Sequence, residues 1–484
     1  MTEPPVRILG ERVYSDADQQ RFAAESRDFN PIHVDPVAAR RLISGRQVVH
    51  GIHVLIQALD LWRSSESAHG GELAVQCNFV HPISVGTRVA FAVLPDWRGQ
   101  RRLAAMVDGR AATELLLGDA SERNPDTAVA PARSPTRRLL GALSAPLDEP
   151  PESLVDQCID IEPWHNSLAA MYPHAAALLG PAALGDLTRL SFVVGMVCPG
   201  LHSVFLSLQF RTRPTSGSGP LQTTVLRYDP RYRLFFVAFR GAIEGELRAM
   251  RRPLPVAQPR AADLATMATS GSWTGRRALV IGGSRGLGET TAKLLAPSGC
   301  DLTITYANGR DDAMAVAADI GALGRGRCEI AALDLSRSFV PPPDVVAEVL
   351  NAVFYFATPR IDPQQDGAFR RNAFDEFVAF YVERFCELCL WLERAGHPVR
   401  VYLPSTTFIT QRPKGMTEYV MAKSAAELLA DDLNRTLRHV HIVHTRLPRL
   451  ATDQTALVPQ LAVSDNVATL LSVLQAMQPE RPAP

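Results

Sequence analysis

Asp28 and His33 lie five residues apart in the string Asp28-Phe29-Asn30-Pro31-Ile32-His33-Val34-Asp35-Pro36. Pro31 and Pro36 make this an ordered loop rather than a helix, with a helix expected to start at Pro36. An acid and an imidazole in such a loop can converge on one water. That arrangement suits adding water to a carbon–carbon double bond, or removing it. One group moves the proton at C2, and the pair manages the hydroxyl at C3. Val48-Val49-His50-Gly51 follows. A backbone N–H at a glycine-started helix can stabilise a thioester enolate oxygen. Taken singly, Asp28 reads as a helix cap and His33 as a polar surface residue; the whole string is much rarer.

A second set lies downstream. The strand pattern RRALVI runs directly into Gly282-Gly283-Ser284-Arg285-Gly286-Leu287-Gly288 and then into a helical pattern. Strand, glycine turn and helix in that order form the context of a dinucleotide site: the glycines permit close backbone approach and the helix N-terminus stabilises the pyrophosphate. The next strand ends in Tyr306-Ala307-Asn308, without an acid to meet a ribose 2′-OH, which together with Arg285 favours NADPH over NADH. Asp334 is placed to meet the adenine. Further on, Tyr419 and Lys423 stand at i, i+4 and share one helix face. An ammonium near a phenol favours phenolate, so the phenol can exchange a proton with a carbonyl. Ser405, at the end of a strand, would hold the carbonyl oxygen, with Thr406 as the alternative hydroxyl.

Two Pro/Ala/Ser-rich stretches, 119–151 and 253–275, read as linkers and divide the 484 residues into units near 1–118, 152–252 and 276–484. In the first, the helical stretch GIHVLIQALDLWRSS precedes alternating strand patterns, as expected of an α+β unit whose sheet wraps one helix. The second repeats that order, with AALGDLTRLSFVVGMV as a buried helix, so two copies of one fold are expected side by side. The third alternates strand and helix, which predicts a doubly wound α/β parallel sheet.

With 50 basic and 50 acidic residues the net charge is zero, which argues against a general polyanion binder and thus against nucleic acid. The seven cysteines are scattered and read as reduced thiols, and Cys386 and Cys389 lie inside a helical pattern without metal-spaced partners, so no metal is expected. No apolar run approaches a membrane span and no signal-peptide core is present, so a cytoplasmic protein is expected.

The string Asp28-x-Asn30-Pro31-x-His33, with His50-Gly51, Phe79-Val80-His81-Pro82 and Val85-Gly86, resembles the MaoC-like (R)-specific enoyl-thioester hydratases and dehydratases over roughly 1–118. The resemblance implies a hot-dog fold, Asp28 and His33 as the catalytic pair, Asn30 as a positioning residue and the Gly51 amide as oxyanion donor. Residues 152–252 look like a degenerate second hot-dog half without that motif; His165, His174 and His202 there read as structural. The segment 276–460 resembles the short-chain dehydrogenase/reductases, and within them the 3-oxoacyl-thioester reductases. This implies Ser405, Tyr419 and Lys423 as catalytic residues. Gly282, Ser284, Arg285, Gly286, Leu287, Gly288, Asp334, Ala357, Tyr419 and Lys423 would contact NADPH. The segment departs from that family at Ile281, at Phe356-Ala357-Thr358-Pro359, at Tyr381 and at Arg449.

Joined in one chain, the two resemblances imply consecutive steps: reduction of a 3-oxoacyl thioester, then dehydration to the trans-2-enoyl thioester, as in fatty-acid or polyketide biosynthesis. Two rivals are a hydratase/3-hydroxyacyl dehydrogenase of fatty-acid breakdown, and a dehydratase with a non-catalytic, reductase-like scaffold. The expected partner is an acyl thioester on an acyl-carrier protein or coenzyme A, and the expected assembly a homo-oligomer, a dimer.

Overall fold

The computed structural model describes residues 6–39, 45–66, 72–119, 135–213, 219–254, 256–267, 272–361, 369–452 and 464–478. The chain divides into two compact units, Met1–Leu254 and Pro255–Pro484.

The first unit is built on β1 (Arg7–Val13), β2 (Leu73–Phe79), β3 (Arg88–Trp97), β4 (Gln100–Val107), β5 (Arg110–Asp119), β6 (Arg137–Leu139), β7 (Cys158–Ile161), β8 (Ser203–Thr212), β9 (Leu221–Asp229), β10 (Leu234–Arg240) and β11 (Ile243–Arg251). Among the described residues these eleven strands form one sheet in the order β1-β3-β4-β5-β2-β8-β11-β10-β9-β7-β6. The order contains a repeat. β1-β3-β4-β5-β2 and β7-β9-β10-β11-β8 are the same sequence of first, third, fourth, fifth and second strand. In each, a buried helix precedes the second strand: Gly51–Ser65 in one half, Pro181–Phe192 continued by a π-helical turn Val193–Val197 in the other. The halves join edge to edge where β2 pairs antiparallel with β8, Ala74 opposite Arg211 through Asn78 opposite Ser207. Val54, Leu55, Leu59 and Trp62 from one helix and Leu184, Leu187, Leu190 and Val194 from the other are buried in a single apolar core.

The stretch read as a linker after residue 118 is only partly one. Arg137–Leu139 pairs with β7, because a strand edge offers backbone partners to a passing chain, and the Leu147 N–H donates at 2.8 Å to the carbonyl of Met196 in the π-helical turn. The stretch before residue 276 likewise places Ala261, Leu264 and Trp273 in the second unit's core.

That second unit has β12 (Arg277–Ile281), β13 (Asp301–Tyr306), β14 (Cys328–Ala332), β15 (Ala352–Tyr355), β16 (Val399–Thr406) and β17 (Val440–Leu447). They are all parallel, in the order β14-β13-β12-β15-β16-β17. Renumbered within the unit this is 3-2-1-4-5-6, the doubly wound order with its switch point between β12 and β15. Cys389 is fully buried in the core of this unit and burial pushes its thiol up, as expected of a packing residue. Among the described residues no single helix is long and apolar enough to cross a membrane.

Candidate active sites

The helix Asp16–Ser26 starts with a capping box: the Asp18 N–H donates to Ser15 Oγ at 3.1 Å and the Ser15 N–H donates to Asp18 Oδ2 at 2.8 Å. It stops at Arg27, whose φ of 57° is left-handed, and the turned chain carries Asp28 into the interior at 2% exposure. Asn30 then caps a helical turn, Pro31–Val34, by accepting from the Ile32 N–H at 3.2 Å. This stretch, expected as loop, is therefore partly helical; a proline at the first helical position loses no hydrogen bond there. A second turn starts at Pro36.

Residues of the other half surround Asp28. Ser191 Oγ donates to Asp28 Oδ2 at 2.7 Å, and the Asn30 N–H approaches Asp28 Oδ1 at 3.3 Å. Gly195, in the π-helical turn, lies against the same carboxylate: a Cβ there would stand 2.0 Å from Asp28 Oδ1. The Asn30 amide donates to the carbonyls of Gly195 at 2.7 Å and Gly200 at 3.0 Å, tying the loop to the second half. His33 Nδ1 lies 2.7 Å from the Val48 carbonyl. A carbonyl accepts only, so Nδ1 carries the proton and the neutral ring has its lone pair at Nε2. The His50 ring stacks on His33 with centroids 3.8 Å apart. Gly51 follows at the helix start, so tightly packed that a Cβ would come within 2.8 Å of the Phe79 ring.

Burial sets the proton affinities. Desolvation pushes the Asp28 carboxyl above its ordinary value, opposed by His33, Ser191 and Asn30. Desolvation holds His33 below the usual imidazole range, opposed by Asp28. His50 is held well below it by burial and by its imidazole neighbours. An acid that keeps its proton longer and a base that stays neutral are together the two partners a proton-transfer pair needs.

Asp28, His33 and His50 each offer a ligand atom within 4.8 Å of the others. The donor chemistry does not suit a cation. His50 Nε2 faces the Asp28 carbonyl at 3.0 Å, and a carbonyl accepts only, so this nitrogen carries the ring proton and offers no lone pair to an ion.

In the second unit, Gly282 (φ +78°) and Gly286 (φ +60°) have left-handed conformations that permit the turn out of β12. A Cβ at Gly288 would meet the Gly282 carbonyl oxygen at 2.3 Å, so only glycine lets the helix Gly286–Leu295 seat on the loop. The Gly282 N–H is held by Thr305 Oγ1 at 3.1 Å. Arg285 directly precedes the helix and Ser284 is buried beside it; Leu287 lies in its first turn, partly buried against the core. The cradle suits a pyrophosphate. β13 ends at Tyr306 without an acid. Asp334 follows β14 and accepts from the Ser336 N–H at 2.9 Å, which holds its carboxyl below the usual range. Ala357 follows β15, one residue after Phe356, whose N–H donates to the Ile281 carbonyl at 2.8 Å.

Tyr419 and Lys423 lie on the helix Thr417–Thr436. The hydroxyl that meets Tyr419 is that of Thr406. Ser405 instead donates to Glu427 Oε1, within a network in which Arg446 pairs with Glu427 at 2.6 Å. Lys423 Nζ donates to the Pro404 carbonyl at 2.7 Å and sits over the Tyr381 ring, 3.7 Å from its centroid. Burial lowers Lys423 to about 7, while burial pushes Tyr419 up to about 12, opposed by Thr406. Tyr381 hydrogen-bonds Thr358, and its ring and those of Phe377 and Phe408 pack edge-on around Tyr419.

Residues 2–112 match the family described as MaoC like domain. This stretch is a MaoC like domain. No curated protein matches the chain. Solved structures similar to it include a short-chain dehydrogenase from Burkholderia cenocepacia J2315 in complex with NADP (23% identity, TM-score 0.35, 43% of this chain and 93% of that one). Others are the angucycline C-6 ketoreductase LanV with bound NADP (23%, TM-score 0.37, 44% and 92%) and FolM alternative dihydrofolate reductase 1 from Brucella canis complexed with NADP (16%, TM-score 0.36, 43% and 88%).

The MaoC like domain does not build its site alone. Ser191, Gly195 and Gly200, all outside residues 2–112, contact Asp28 or Asn30. Sequence reasoning did not single them out. The available signal was Gly195 itself, a glycine inside an otherwise apolar buried helical pattern. Of the other half's histidines, His202 meets Asp148 at 3.4 Å; none of the three joins the MaoC like domain's Asp28 and His33.

Proposed function

We propose that the chain is a bifunctional ketoreductase and dehydratase of acyl-chain biosynthesis, with residues 1–254 as a double hot-dog and 276–484 as a short-chain reductase. The observation that carries this reading is Asp28, buried against Gly195 of the opposite half with its carboxyl raised, beside the half-buried His33, whose imidazole is kept neutral. In this reading the pair removes water from a 3-hydroxyacyl thioester. The Gly51 end of its helix stabilises the enolate oxygen.

In the second unit, Gly282, Ser284, Arg285, Gly286, Leu287, Gly288, Asp334 and Ala357 would hold NADPH, with Arg285 toward a 2′-phosphate. When bound, NADPH supplies hydride to the carbonyl carbon of a 3-oxoacyl thioester. Tyr419 gives its proton to the carbonyl oxygen, Thr406 orients that oxygen, and Lys423 supports the phenolate that is left. The carrier is acyl-carrier protein or coenzyme A, and the assembly a homodimer in the cytoplasm.

A second reading, a dehydratase with a non-catalytic reductase-like unit, is favoured by Lys423, whose ammonium is committed to the Pro404 carbonyl and the Tyr381 ring. One experiment separates them. The purified protein is given NADPH and a 3-oxoacyl thioester on each carrier, and products are weighed by mass spectrometry. A product heavier by two hydrogens and lighter by one water supports the bifunctional reading. Untouched 3-oxo substrate, with dehydration of added 3-hydroxyacyl thioester, supports the scaffold.

A further inference from the structure

Arg252 follows β11 in the second half of the first unit and is 4% exposed. Its Nη2 donates to the Leu201 carbonyl at 2.6 Å, and its backbone N–H donates to the His202 carbonyl at 2.8 Å. The Asn30 amide reaches the same Leu201 carbonyl at 3.4 Å, so the guanidinium sits beside the Asp28/His33 loop. Its charge is felt at His33, which it disfavours from protonating. Nε and Nη1 are buried and have no partner among the described residues. Asp148, the acid whose charge reaches Arg252, is half exposed and hydrogen-bonds Arg251 at 2.6 Å and meets His202 at 3.4 Å instead.

A neutral side chain could tie down the Leu201 carbonyl. A cation buried with two nitrogen donors unsatisfied is costly, and such a group is expected where something else supplies the acceptors. We propose that Arg252 is a binding residue for an anionic oxygen carried by the thioester substrate, donated from the second half into the site of the first. A carboxylate on the acyl chain and a phosphate of the coenzyme A or pantetheine arm share this chemistry. Either would meet Nε–H and Nη1–H with charge-assisted hydrogen bonds. The inference rests on the dehydratase reading of Asp28 and His33.

The test uses the full chain and three substrates. They are 3-hydroxybutanoyl-N-acetylcysteamine, which has neither anion; 3-hydroxybutanoyl-coenzyme A, which has phosphates; and 3-hydroxyglutaryl-N-acetylcysteamine, which has a carboxylate. Arg252→Gln should cut the kcat/KM advantage of one anionic substrate over the neutral one by ~10–100-fold, the worth of a charge-assisted contact. Loss of the coenzyme A advantage identifies the phosphate, and loss of the glutaryl advantage identifies the carboxylate. Arg252→Lys should restore part of it. If Arg252→Gln does not fold, the unaltered protein decides: inorganic phosphate or succinate should compete with the neutral substrate, at matched ionic strength. Equal ratios in parent and variant, or no competition by either anion, overturn the proposal. A parent that dehydrates none of the three overturns the dehydratase reading itself.

Discussion

Replacing Gly195 by alanine tests whether the second half shapes the surroundings of the Asp28 carboxylate. Gly195 is not in the left-handed region, so alanine fits its backbone, and alanine is the better helix former by about 1 kcal/mol. Any loss must come from the new methyl. It would lie 2.0 Å from Asp28 Oδ1, 2.5 Å from Cγ and 2.6 Å from Oδ2, where ordinary carbon–oxygen contacts need about 3.3 Å or more. The carboxylate must therefore shift by roughly 1 Å, and it cannot do so while keeping its 2.7 Å bond from Ser191. Overpacking of this kind costs about 1–3 kcal/mol, or a melting midpoint lowered by roughly 2–4 °C per kcal/mol in a unit of this size. The effect on chemistry should be larger: a displacement near 1 Å costs about 10²-fold. The assay follows loss of water from a 3-hydroxyacyl thioester in Gly195→Ala, alongside NADPH-dependent reduction, which should not change. A folded Gly195→Ala protein that dehydrates at the parent rate refutes the reasoning, because Asp28 would then not depend on where this wall stands.

The remaining expectations concern the division of labour and the second unit. Asp28→Asn should accumulate 3-hydroxyacyl product from NADPH and 3-oxoacyl thioester, since losing the proton-transfer group costs ~10²–10⁴-fold; Tyr419→Phe should leave the 3-oxo substrate untouched, and mixing the two should regenerate enoyl product, which mass spectrometry reads directly. Thr406→Val should slow reduction by at least about tenfold, loss of one hydrogen bond to the reacting oxygen, whereas Ser405→Ala should lower thermal stability more than turnover because it removes a contact to Glu427; the reverse ranking would put Ser405 at the reacting oxygen. Lys423 holds its proton less tightly folded, at about 7, than unfolded, so between about pH 7 and the ordinary lysine value the unfolded chain binds more protons and stability must rise with pH. Urea midpoints of parent and Lys423→Met, taken across that window without cofactor, should therefore diverge, and parallel curves would show that Lys423 is not desolvated.

Much of the fold was legible because its patterns are local. The period-two runs at 73–79 and 88–97 became β2 and β3, and the βα alternation after residue 276 became a parallel sheet. The motif residues were legible because Asp28, Asn30 and His33 act within six positions of chain. What surrounds them was not. Ser191 lies 163 residues from Asp28, and no spacing rule links a carboxylate to a hydroxyl that distant. The choice between Ser405 and Thr406 also needed the structure. Neighbours on β16 point to opposite faces, so one register decides which hydroxyl meets Tyr419 and which meets Glu427. The helical turn at Pro31–Val34 escaped for a different reason: proline discourages a helix only beyond its first turn.

The repeated strand order has a consequence for how such a site can change. In an assembly of two identical subunits every substitution occurs twice, so a change that reshapes one wall also damages the copy that does the chemistry. Here the two copies lie in one chain, paired by hydrogen bonds at the β2–β8 seam, and are encoded separately. Asp28, Asn30 and His33 sit on one; Ser191, Gly195 and Arg252 sit on the other. Each wall can drift alone. The half without the motif is thus free to alter what surrounds Asp28 and Asn30, one residue at a time, while the motif stays as it is.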